Sequence, residues 1–329
     1  MHEARSFPLS RRDVVGGGLA TGLGLMLGAV ARTATAQPAA AGAEPPQAAA
    51  LQQPLITKAI PATGEKLPAI GLGTDQFRSG ESAAIEDEIR RMHELGGRVI
   101  DTAAAYGDSE AIIGEALARL GLGQGMFIAT KLTAQGRGFG GDGVGGEASL
   151  ERSLSRLKVS RIDLLQVHNL DGVDELLPLM QRWKQAGQIR YIGITTSRVQ
   201  QHAAMVEYMR RYPLDFVQVD YSLANRDAAS NVLPLAMERR VAVLANIPFG
   251  FGAVLRRAQS RPLPNWASEI NVSSWAQFLL KYVISHPAVT CAIPGSTRVS
   301  HLEDNQLAGR GRLPDAAMRR RMEQYWDAG

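Results

Sequence analysis

Residues 99–131 read VIDTAAAYGDSEAIIGEALARLGLGQGMFIATK. The passage opens on a brief apolar run, 99–101, carries an amphipathic pattern over 109–119, and closes on a second apolar run, 127–131. Runs apolar on both faces suit strands that are covered by helices on one side and by a packed interior on the other. The alternation extends in both directions. Further strands are predicted at 70–74, 164–168, 191–195, 216–220, 242–246 and 291–294, and further helices at 81–95, 147–157, 174–186, 199–212, 229–239, 273–285 and 299–307. Eight strand–helix units in about 270 residues favour a single-domain (β/α)8 TIM barrel over an open doubly wound sheet. No Gly-x-Gly-x-x-Gly turn follows a strand with an acidic residue about 20 positions on, which lowers the open-sheet alternative. Residues 58–68, with Thr63-Gly64-Glu65 at the tip, predict a hairpin ahead of the barrel, and a basic helix containing Arg319, Arg320 and Arg321 ends the chain.

The composition narrows the function. The 329 residues, 45% of them hydrophobic, fill a sizeable core and exclude a disordered or fibrous chain. A net charge of +4 is far too small for a dedicated nucleic-acid binder. Cys291 is the sole cysteine, so neither an internal disulfide nor a zinc site of several thiolates can form.

Residues 1–36 read as a cleavable export signal of the twin-arginine type. Arg11-Arg12 precedes 17 uncharged residues, six of them glycine, and Ala34-Thr35-Ala36 supplies a small-x-small cleavage site. That core is short and glycine-rich for a spanning helix, so an uncleaved membrane anchor is the weaker alternative. The expected partner is the twin-arginine export machinery and the expected destination the periplasm or exterior, with no stable membrane insertion after processing. Residues 37–54, rich in Ala, Pro and Gln, read as a linker, and the barrel as 55–329.

In a barrel the chemistry sits at the carboxyl ends of the strands. Three consecutive ends carry Asp101 and Tyr106, Lys131, and His168. An ammonium within about 4 to 6 Å favours a phenolate, so Lys131 is expected to lower the Tyr106 pKa. A buried lysine needs a carboxylate to stay charged, and Asp101 is on the neighbouring strand. His168 supplies a donor for a carbonyl oxygen. Ser109, ahead of an apolar helical pattern, is expected to be a helix N-cap.

Three segments resemble the signature of the aldo-keto reductases: residues 99–110, the strand Phe127-Ile128-Ala129-Thr130-Lys131, and Ile162-Asp163-Leu164-Leu165-Gln166-Val167-His168-Asn169. The resemblance implies a barrel in which Tyr106 is the general acid, Lys131 and Asp101 its tuning pair, and His168 the group that orients a small-molecule carbonyl substrate. It also implies a nicotinamide cofactor, NADP(H) with NAD(H) as the alternative, and no metal. Cofactor contacts are assigned to Gly73, Thr74, Asn169, Thr195, Thr196, Gln218, Asn246, Pro248, Gly250, Ser296, Thr297, Arg298 and Asn305.

Several positions depart from the family. Ser-Asn is common after the fifth barrel strand, where Thr195-Thr196 stands here, and Asn246 occupies a place where an aromatic ring often stacks on nicotinamide. At the phosphate end, a polar loop leading into a helix offers backbone N–H groups, and Arg298 can meet a phosphate bidentately. Gly295 replaces a frequent basic residue and His301 a frequent arginine. The segment 136–149, with seven glycines, is read as a mobile lid, and Trp266 and Phe139 as pocket or packing residues. Little chain follows the last helix, which suggests an open site. Two other readings stand beside the reductase: a nicotinamide-nucleotide-sensing barrel with negligible turnover, and a Schiff-base lyase using Lys131, against which the Asp101 pairing argues.

Overall fold

The computed structural model describes residues 50–134 and 146–329. The chain divides into two units, Met1–Ala43 and Glu44–Gly329. The first, which holds the expected export signal, lies outside the described residues, as does most of the glycine-rich segment with Phe139.

Strands β1 (Thr57–Ala59) and β2 (Lys66–Pro68) pair as the antiparallel hairpin. Eight parallel strands follow: β3 (Leu72–Gly73), β4 (Val99–Asp101), β5 (Phe127–Leu132), β6 (Ile162–Val167), β7 (Ile189–Thr195), β8 (Phe216–Asp220), β9 (Ala242–Asn246) and β10 (Val289–Ala292). Each pairs with its neighbour in sequence, and parallel bridges between Ile70 and Ala292 and between Gly73 and Gly295 close the ring. The helices are α1 (Ser82–Glu94), α2 (Ser109–Leu120), α3 (Gly146–Leu157), α4 (Val173–Gln185), α5 (His202–Arg211), α6 (Val232–Glu238), α7 (Ala253–Gln259), α8 (Trp275–Ile284), α9 (Val299–Ala308) and α10 (Ala316–Asp327). This is the expected (β/α)8 architecture with its hairpin. Helix α7 and a short 3-10 turn, Asn265–Ile270, were not expected; α7 has only seven residues, too few for a clear helical period beside Gly250, Gly252, Pro262 and Pro264. Among the described residues no helix is long and apolar enough to cross a membrane.

Side-chain alternation along a strand decides what faces the barrel axis. Ile100, Ile128, Leu165, Ile192, Val217 and Val243 face outward and join the large core beneath the helices. Val99, Phe127, Ala129, Leu164, Tyr191, Phe216, Ala242 and Leu244 face inward and pack with Ile60 and Leu67 from the hairpin. Within this inner layer the rings of Phe127, Tyr191 and Phe216 lie 5.5 to 6.1 Å apart. Each such pair adds about 0.5–1.5 kcal/mol to area burial. The hairpin is tied down as well: Tyr191 Oη donates to Glu65 at 2.6 Å, and Lys58 Nζ donates to the His286 and Val289 carbonyls at 2.9 and 2.7 Å. One or two inward steps further along the strands, the apolar set gives way to Asp101, Lys131, Gln166, Thr195, Gln218 and Asn246.

Candidate active site

Strands β4 and β5 place Asp101 and Lys131 inward at their carboxyl ends, 2% and 1% exposed. Lys131 Nζ donates to Asp101 Oδ2 at 2.5 Å and to the Thr102 carbonyl at 2.8 Å. Burial works against the Lys131 ammonium, but Asp101 and Tyr106 outweigh it and hold its pKa above the ordinary lysine value. Burial likewise pushes the Asp101 carboxyl up, opposed by Lys131, Gln218 and Gln166. The arrangement is an ammonium facing a carboxylate, stable in the interior because each charge also receives further hydrogen bonds.

Tyr106 reaches this pair from the turn after β4. The Thr102 and Ala104 amides donate to the Ala129 and Lys131 carbonyls at 2.9 and 3.1 Å, so the chain runs on along β5 before the Tyr106 amide closes onto Ala103 at 3.0 Å. Lys131 Nζ then stands 5.0 Å from the centroid of the Tyr106 ring. The His168 ring meets the tyrosine edge-on, with 5.7 Å between centroids and an 80° interplanar angle. The expected net lowering of the Tyr106 pKa does not hold. Burial raises it and Lys131 pulls back through charge and a hydrogen bond, while Asp101 and Asp75 add to the rise. The phenol therefore keeps its proton at neutral pH. His168 follows β6 in a tight turn, and burial with the Lys131 charge lowers its pKa to about 3, so its imidazole is neutral.

Ser109 is not the expected N-cap; that position is Asp108, without a side-chain bond. The Ser109 hydroxyl is instead buried against Thr74 Oγ1 at 2.9 Å and Thr102 Oγ1 at 3.0 Å, beneath the site. His202 is buried and pairs through Nε2 with Asp220 at 2.8 Å. Trp266 packs on Phe278, Tyr325 and Arg321 rather than on the cavity.

A cavity of about 880 Å³ opens over the strand ends. Asp101, Tyr106, Lys131 and His168 line it together, as do Gly73, Thr74, Asn169, Thr195, Gln218, Asn246, Pro248, Ser296 and Thr297. Thr196, Gly250, Arg298 and Asn305 are not among its lining residues. Thr196 gives its carbonyl to Asn246 Nδ2 at 3.1 Å, Gly250 turns the loop after β9 with φ of 54°, Arg298 is exposed at the start of α9, and Asn305 is buried within that helix. The sequence did not point to Gln166, Asp75, Phe249 or Phe251. Gln166 was legible in principle: it lies two residues before His168 and so on the same face of β6. Left-handed backbone collects at the rim, where Asn169, Ile247 and Phe251 have φ of 55, 49 and 53°. Each costs about 1–2 kcal/mol for an L residue, and strain of this kind gathers at binding sites.

The residues present fit a nicotinamide dinucleotide. With Nδ2 held by Thr196, Asn246 keeps a buried Oδ1 without a partner, suited to an amide donor. At the other end Ser296, Thr297 and His301 line the cavity where α9 begins, suited to phosphate.

The Aldo/keto reductase family model matches residues 69–323. The chain belongs to this family. Its members are oxidoreductases, and so is this protein. It is 29% identical over 249 residues to a methylglyoxal reductase of Escherichia coli, covering 73% of this chain and 84% of the relative. It is 26% identical over 284 residues to L-galactose dehydrogenase of Arabidopsis thaliana, covering 76% and 87%. In three dimensions it resembles an aldo-keto reductase from Klebsiella pneumoniae solved in complex with NADPH, at a TM-score of 0.70 and 23% identity over 83% of this chain and 96% of that one. A further structure of an aldo/keto reductase from Klebsiella pneumoniae, in complex with NADP and acetate, gives 0.67 and 24% over 80% and 93%.

Proposed function

We propose that the protein reduces an aldehyde or ketone to an alcohol with NADP(H), and that Tyr106 is the general acid. The observation that carries this reading is the convergence of Tyr106, Lys131, Asp101 and His168 at the floor of one cavity, with an ion pair beneath the phenol. A bound reduced nicotinamide supplies the hydride. His168, neutral, orients the carbonyl oxygen by donating a hydrogen bond. Tyr106 holds a proton at Oη for that oxygen, and Lys131 offsets the cost of the phenolate left behind. A positioned general acid contributes about 10²–10⁴-fold.

NADP(H) is preferred because Arg298 is exposed beside the cavity-lining Thr297 and His301, and because the Klebsiella relatives were solved with it. Residues 1–36 are proposed to direct export of the folded enzyme, with 37–54 as linker; mass spectrometry of secreted protein beginning near Gln37 supports this, and a retained Met1 refutes it.

The reaction is tested by NADPH consumption against a panel of aldehydes and ketones. Turnover with at least one carbonyl is expected, falling about 10²-fold or more in Tyr106→Phe while NADPH binding is retained. Binding without turnover across the panel would favour the nucleotide-sensing barrel.

A further inference from the structure

The structure assigns Gln166 a positioning role: it holds the Gln218 amide in one orientation at the cavity floor and ties that amide to the Asp101 carboxylate. The inference rests on the reading that the cavity takes a nicotinamide.

Gln166 is wholly buried on β6, opposite Lys131 in the strand register. Both hydrogens of its Nε2 are used, one toward Gln218 Oε1 at 2.9 Å and one toward Asp101 Oδ1 at 3.4 Å. Gln218 in turn points its own Nε2 at Asp101 Oδ2, 3.4 Å away, on the oxygen that also receives Lys131. The two amides and the carboxylate thus form a closed triangle. Turning the Gln166 amide over would set its oxygen against a carboxylate and a carbonyl, so only one orientation is compatible with the neighbours. That orientation has a cost, because Gln166 Oε1 is left buried with no partner. An unsatisfied buried acceptor is destabilising, a penalty that an apolar side chain of similar size would not carry at this position.

A residue that only filled the barrel would not carry that penalty. What it secures is the Gln218 amide: with Oε1 occupied from below, Gln218 faces the cavity in a defined state instead of rotating about its last torsion. The Asp101 carboxylate is steadied in the same step, and with it the charge on Lys131.

Gln166→Leu is the test, with Gln166→Met as a second apolar variant should the first fail to fold. Affinity is measured for NADPH and for 2′,5′-ADP, a probe that lacks the nicotinamide. The variant is expected to bind NADPH about tenfold more weakly and to bind 2′,5′-ADP as the parent does. Equal loss for both probes, or no loss for either, overturns the inference. Failure of the underlying reading looks different: the unaltered protein would itself bind NADPH no better than 2′,5′-ADP.

Discussion

Tyr106 and His168 have ionisations displaced in opposite directions, and the proposed reaction needs both. Burial keeps the phenol protonated above the ordinary tyrosine value, and burial with Lys131 keeps the imidazole neutral down to about pH 3. Neither changes charge between about pH 6 and 9, so kcat/KM for carbonyl reduction is expected to be flat over that range. A limb near pH 6.5 would show instead that His168 titrates in solution-like surroundings. Glu88 offers a second residue-scale prediction. It is fully buried on α1 with neither oxygen partnered, and burial raises its pKa to about 7, opposed only by the nearby Ser296 hydroxyl. Between about pH 4.5 and 7 the folded chain holds a proton there that the unfolded chain has lost, so Glu88 costs stability as pH rises through that window, by about 3 kcal/mol in all. Glu88→Gln is expected to raise the melting temperature relative to the parent above about pH 7 and to leave it unchanged near pH 4.5. An equal gain at both pH values would contradict the assignment.

At the scale of elements, close helix contact depends on Gly114 in α2. A Cβ at that position would stand 2.1 Å from the Arg156 carbonyl and 2.7 Å from the Leu157 backbone, so α2 and α3 touch backbone to backbone. Gly114→Ala normally favours a helix, but here it must push α3 away and is expected to destabilise by about 1–3 kcal/mol in chemical denaturation. The strands were legible in the sequence because their apolar runs are short and bounded by turn residues, and β4, β8 and β9 match the reading residue for residue. Their carboxyl ends named the four proposed catalytic side chains for the same reason. What sequence could not supply was the partner of each polar group. Ser109 looked like a cap but is a buried hydroxyl between Thr74 and Thr102, 35 and seven positions away in the chain. Gln166 sat in a quoted motif unremarked, since its partners come from strands 65 and 52 positions away. The net direction of the Tyr106 shift was missed because it depends on how deeply the ring is enclosed.

Among the described residues the barrel is a ring of strands with an apolar inner layer, a hairpin tied against one end, and a polar set of side chains at the carboxyl ends of the strands. Such a cavity stabilises the fold when filled: at 100 times its dissociation constant a ligand adds about 2.7 kcal/mol. NADPH is therefore expected to raise the melting temperature, and to do so more than NADH at equal concentration; a larger shift with NADH would reverse the cofactor preference. The most direct measurement is a single turnover: protein preloaded with NADPH, mixed rapidly with a reactive aldehyde, and followed by loss of the reduced cofactor. Rapid oxidation in the parent is expected, with a rate at least about 10²-fold lower in Tyr106→Phe at unchanged NADPH occupancy. Equal rates in the two proteins would mean that the proton comes from elsewhere, and would contradict the role given to Tyr106.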